Sequence, residues 1–155
     1  MRLYLIAVLL IALCGCASRE PSACDGLVYK ESGLERNEYL PCARAMVDEL
    51  DRFHRELKTM GDKSLPKQDR RQAHEGCLAS NDRLVKLIRQ AGGRDKLAYV
   101  PWQDAELSRL NMNIIGAQTA YLVNCYYGLR GAETSNLADE EPSHVQARAM
   151  LAQLR

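Results

Sequence analysis

Between Pro41 and Gly61 the apolar residues Ala43, Met46, Val47, Leu50, Phe53 and Leu57 return at steps of three and four. That period marks one face of an α-helix, and no alternating strand pattern is sustained anywhere in the chain. Pro41 suits a first helical turn, where its missing N–H costs nothing, and Gly61 closes the element. A second helix is expected after Ser64, Leu65 and Pro66, with Ala73, Cys77, Leu84, Ile88 and Ala91 as its apolar line and Gly92-Gly93 as its stop. The stretch GGRDKLAYVPW reads as a loop. A third helix runs from near Gln103 to Leu129 on a stripe of Leu107, Leu110, Ile114, Ala117, Tyr121 and Cys125. A short last helix starts at Pro142 and carries Val145, Ala149 and Leu151. Three long amphipathic helices and a short one predict an all-α fold, an antiparallel helical bundle spanning 36–155. Burial at about 25 cal/mol per Å² of apolar surface drives its assembly.

The N-terminus reads differently. Met1 and Arg2 precede an almost unbroken apolar run from Leu3 to Leu13. A basic start, a short apolar core and small residues after it are the parts of an export signal. The run is too short for a permanent span, which takes about 20 residues. It ends in Leu13-Cys14-Gly15-Cys16, which resembles the lipobox of bacterial lipoproteins, with Cys14 standing where Ala or Ser is more usual. The resemblance implies a signal peptide over 1–15 and a diacylglyceryl thioether on Cys16, whose freed amine is acylated by a chain such as palmitate. Several acyl chains make such anchoring effectively permanent. Ala17 rather than Asp after Cys16 implies transfer to the outer membrane, with the periplasmic side expected. Residues 16–35 then form a lipidated tether and loop.

Loss of the signal removes Arg2 and no acid, so the formal charge goes from +1 to 0. Nucleic-acid binding rests on an excess of Lys and Arg, so no nucleic-acid partner is expected. The membrane, through the anchor, and a protein of the envelope are the expected partners.

Cys24, Cys42, Cys77 and Cys125 survive signal cleavage, and four cysteines in an oxidising compartment suggest two disulfides. They are too dispersed for a zinc site. Cys24, on the lead-in, can reach Cys42, which leaves Cys77 with Cys125. With the long helices level and a rise of about 1.5 Å per residue, the second pair differs in height by roughly 10 Å, so this pairing rests mainly on Cys24.

Chemistry-bearing residues are sparse. His54 and His74 fall at similar heights beside the loop between the first two helices, with Asp51 one turn before His54 and Glu75 beside His74. They are candidate metal ligands, yet di-metal bundles need the acid-x-x-His motif on two helices and it occurs here once; no metal is expected. C-x-x-C-H and G-x-S-x-G are both missing, so neither cofactor nor catalytic residue is expected, and the protein is read as a non-enzyme. Asp48-Glu49 and Glu140-Glu141 are adjacent in sequence and read as solvated faces. The first helix is acidic and the second basic, which suggests mutual neutralisation, or a basic patch for anionic lipid or an acidic partner. Tyr99, Trp102, Tyr126 and Tyr127 read as plugs for the bundle ends, with interface anchors as the alternative.

The run from Cys24 through NEYLPCARAMVDELDRFHREL is similar to the start of small periplasmic lysozyme inhibitors of the LprI type. The matching positions are Cys24, Asn37, Cys42, Ala43, Asp48, Leu50, Phe53 and Leu57. The Asn37–Cys42 spacing is longer than in that family, and Trp102 is followed by no Arg-Asp-x-x-Cys run. The resemblance implies an inhibitor of a cell-wall hydrolase, an alternative to a binding or scaffold module; a metal-binding bundle is the third reading.

Overall fold

The computed structural model describes residues 22–154 apart from 32, 100–101, 129–136 and 138. The signal peptide, Cys14 and Cys16 lie outside the described residues, as does Leu129 at the expected end of the third helix. The described chain is mostly helical and holds α1 (Arg36–Gly61), α2 (Lys67–Gln90), α3 (Arg94–Tyr99), α4 (Ala105–Gly128) and α5 (Pro142–Gln153). Among the described residues there is no strand, and no helix is long and apolar enough to cross a membrane.

α1 lies at the centre, packed against α2, α4 and α5. Its expected stripe is its buried face: Ala43, Met46, Val47, Leu50, Phe53 and Leu57 are all in the core. The helix starts earlier than Pro41 suggested. Arg36 to Leu40 are helical because Tyr39 and Leu40 add two buried residues to the stripe, and Pro41 sits exposed inside the helix, where it forfeits one backbone hydrogen bond. Residues 94–99, read from sequence as loop, instead form α3, whose Leu97 is buried. On α5 the buried line is His144, Ala147 and Leu151, whereas Val145 and Ala149 face solvent. The three-residue step from 144 to 147 competes with the four-residue step from 145 to 149, and the former faces α1 and α4.

α2 ends in a Schellman motif: Gly93 N–H donates to Ile88 C=O at 2.9 Å and Gly92 N–H to Arg89 C=O at 3.1 Å. Gly92 has φ +98°, and a Cβ there would meet the Tyr29 ring at 2.6 Å. The Tyr29 hydroxyl donates to the Ala91 carbonyl, so the lead-in strap clamps this helix end. Gly92→Ala is therefore expected to cost about 1–3 kcal/mol from backbone strain and displacement of Tyr29, readable as a lower urea midpoint.

Tyr29, Tyr39 and Trp102 close the same end, with Trp102 5.1 Å from Tyr39 and 6.1 Å from Tyr29 between ring centroids. Trp102 is thus a plug, as expected. Tyr126 and Tyr127 are not, being 59% and 49% exposed on α4; the side chain of Tyr99 lies outside the description. Burial pushes the Tyr29 phenol up to about 12, and burial with the neighbouring Tyr29 raises Tyr39 further above its ordinary value. An unfolded tyrosine ionises near 10, so above that pH the unfolded chain releases protons that the folded chain keeps. On account of these two phenols stability is expected to fall from pH 10 to 12; melting temperatures across that window check it.

Both cysteine pairs lie at disulfide distance, Cys24 with Cys42 (Cα–Cα 4.6 Å) and Cys77 with Cys125 (Cα–Cα 6.3 Å). The height mismatch expected for the second pair is absent. Gly76 lies against the Glu56 carboxylate and Gly128 against Met60, so α2 begins beyond the level at which α1 ends, and Cys77 and Cys125 come level.

Candidate functional site

α1 carries Asp51, Phe53 and His54 across one turn, and α4 brings Tyr121 against them. The Tyr121 ring lies 5.5 Å from Phe53 and stacks on His54 at 5.8 Å with an interplanar angle of 7°. Pro142 starts α5, where its missing N–H is harmless. Glu140 and Glu141 precede that start, and His144 and Arg148 follow one turn apart. His144 is fully buried. Its Nδ1 lies 2.8 Å from Tyr121 Oη and 3.0 Å from Glu140 Oε1, and its Nε2 lies 3.2 Å from Asp51 Oδ1. Tyr121 Oη also accepts the Glu141 N–H at 3.2 Å. Arg148 pairs with both Asp51 and Glu140, and its Nη2 is 3.4 Å from His144 Nε2.

Burial and the Arg148 guanidinium hold the His144 imidazolium below its ordinary range, against the opposing pull of Glu140 and Asp51; His54 adds to the lowering. Burial likewise raises the Tyr121 phenol. Both shifts favour the uncharged imidazole and the protonated phenol within the cluster.

Asp51, Glu140 and His144 each offer a ligand atom, all within 4.8 Å of one another, and this is the one such group among the described residues. His54 stands at the edge of this cluster, its ring 6.4 Å from that of His144, whereas His74, on α2, joins no such group. Equal distance from a loop set their heights but not the directions in which they point. Glu140 is not a solvated residue either, because the turn into α5 lays it over His144. The local signal was Glu140-x-x-x-His144, one helical turn of acid and imidazole; its meeting with Asp51 is a tertiary event.

Glu49 also departs from the solvated reading. It is 4% exposed and braces two cations, with Oε2 2.9 Å from Arg52 and Oε1 2.8 Å from Arg83. Arg83 donates further to buried Ser80 at 2.9 Å. The Glu49–Arg83 pair joins acidic α1 to basic α2, the neutralisation expected from their compositions. Ser22 lies in the same groove, beside Asp48, Arg52 and Lys86, so the described chain begins on the α1–α2 face.

On α4 no charged residue occurs between Arg109 and Gly128. Its outer face exposes Met112, Val123, Tyr126 and Tyr127, which fall within one helical stripe. Comparison with protein-family models, curated proteins and solved structures finds no match to the chain.

Proposed function

We propose that this is a lipoprotein of the outer membrane, facing the periplasm, whose antiparallel bundle of three long helices and a short C-terminal helix is a non-enzymatic binding or scaffold module for an envelope protein. The observation that carries the reading is the Leu13-Cys14-Gly15-Cys16 signal placed a few residues ahead of a folded helical domain. The up–down–up course is supported by Arg36 meeting Asp104 at 2.6 Å at one end and Gly128 meeting Met60 at the other. The α4 stripe supports the partner. Tyr and Met are enriched at protein interfaces. The stripe's own residues are uncharged and one cation, Arg94, meets it at Thr119, so it lacks the excess of Lys and Arg that nucleic acid or anionic lipid needs. Cys16 and Ser22 are six residues apart, at most about 20 Å of extended chain. Such a tether joins the described chain on the α1–α2 face, so α4 is free to meet a protein.

Two measurements test this. Cys16→Ser is expected to move the protein from the membrane to the soluble periplasmic fraction. A photo-crosslinker at Tyr126 in cells is expected to give one adduct of discrete mass that Val123→Asp abolishes. Soluble wild-type protein, or no adduct, would overturn the reading.

Cys24 at disulfide distance from Cys42 favours a second reading, because the lysozyme inhibitors of the LprI type pair their early cysteines in the same way. It predicts that the lipid-free domain slows lysozyme on peptidoglycan. No effect at micromolar excess removes it.

A further inference from the structure

We infer that Asp51, Glu140 and His144 form a binding site for one divalent transition-metal ion, with Arg148 as the displaceable cation that holds the site when no metal is bound. The first argument is the hydrogen-bond pattern at His144. Both ring nitrogens face carboxylate oxygens, Nδ1 at 3.0 Å from Glu140 and Nε2 at 3.2 Å from Asp51. A neutral imidazole has one N–H and one lone pair. With Nε2–H on Asp51 the Nδ1 lone pair takes the Tyr121 O–H, whereas with Nδ1–H the Nε2 lone pair faces the Asp51 carboxylate and needs a positive centre between them. Arg148 Nη2 supplies that centre, touching Asp51 Oδ1, Glu140 Oε1 and His144 Nε2 together.

The second argument is charge. Around the buried imidazole stand two acidic side chains and one guanidinium, one acid more than cation. Exchange of Arg148 for a dication leaves two carboxylates and M²⁺, which sum to zero. The exchange needs no backbone movement, because the Arg148 side chain is 47% exposed and can extend into water, and Asp51 is 33% exposed on the same side. The third argument is orientation. Metal-bound histidines characteristically donate their other ring N–H to a fixed acceptor, and Tyr121 Oη, at 2.8 Å from Nδ1, is in that place. The tautomer with Nδ1–H aims the Nε2 lone pair at Asp51 and Arg148. One imidazole with two carboxylates is a ligand set for zinc, cobalt, manganese or iron(II) rather than for calcium or magnesium, which take oxygen alone.

Cobalt(II) is the probe. The full chain in detergent, stripped with chelator, is titrated while visible d–d absorption and calorimetric heat are followed. One equivalent is expected to bind and to be competed off by zinc. Asp51→Asn and His144→Ala are each expected to weaken binding about tenfold or more, and Tyr121→Phe about tenfold through the lost orientation. Arg148→Ala, which removes the competitor, is expected to tighten it. Asp51 is one-third exposed and Asp51→Asn keeps its shape, so that variant decides the matter if His144→Ala fails to fold by circular dichroism. No cobalt bound by the wild type, binding confined to Arg148→Ala, or binding indifferent to Asp51→Asn would each overturn the site and leave Arg148 as its permanent cation.

Discussion

Replacing Cys77 and Cys125 together with alanine is expected to lower stability by about 4 kcal/mol. The bond spans 48 residues, and on the chain-entropy account a loop of that length constrains the unfolded chain by about this amount. The pair also ties α2 to α4, which are separated in sequence by α3 and its connections, so few local contacts can replace it. For a domain of this size the loss corresponds to a fall in melting temperature of roughly 10–20 °C. Thermal unfolding of the double variant, followed at the helical circular-dichroism band, measures it. A fall worth less than about 1 kcal/mol would mean that the pair is not joined. The Cys24–Cys42 bond closes only 18 residues, for about 3 kcal/mol on the same account. Its loss should be smaller still, because Tyr29 on Ala91 and Gln90 on Asp25 hold the strap independently.

These expectations mark what the sequence could and could not disclose. The long helices were legible because each buries a continuous stripe, and on α1, α2 and α4 the expected apolar residues are the buried ones. On α5 the start at Pro142 and the burial of Leu151 are as expected, whereas Val145 and Ala149 are not in the core. The helix carries its apolar residues on both sides, so periodicity could not choose between Val145 and Ala147. α3 was invisible because six residues make too short a window for a period, and its helical state depends on Leu97 finding the core. The cysteine pairs were within reach, but their levels depended on how far α2 overshoots α1.

The cluster around His144 was the least legible. Asp51, Tyr121 and Glu140 each have an ordinary local reading: surface acid, core aromatic, turn acid. Only the packing of α5 against both α1 and α4 turns them into one polar group. Glu49 makes the same point in reverse. An acid in a charged run reads as solvated, yet the helical period places it beside Leu50 on the α2-facing side, where Arg83 and Arg52 compensate its burial.

Phe53→Ala is expected to cost about 3–5 kcal/mol, the range for truncating a wholly buried aromatic ring. Phe53 is 0% exposed on the central helix, and it backs the Tyr121 ring at 5.5 Å. Its removal therefore opens a cavity where α1 meets α4 and also frees the ring that orients His144. A urea titration should show a lower midpoint with an unchanged slope, since the surface exposed on unfolding stays nearly the same. Val145→Ala supplies the contrast. This residue is 45% exposed despite lying on the expected stripe of α5, so its truncation should change stability by no more than about 0.5 kcal/mol. If Val145→Ala proved the costlier change, the face of α5 turned to the core would be the one read from sequence, and His144 would be carried out to solvent with Asp51 and Glu140 no longer joined through it. A Phe53 effect with none at Val145 instead fixes the register of α1 and α5 together, the register on which the His144 cluster depends.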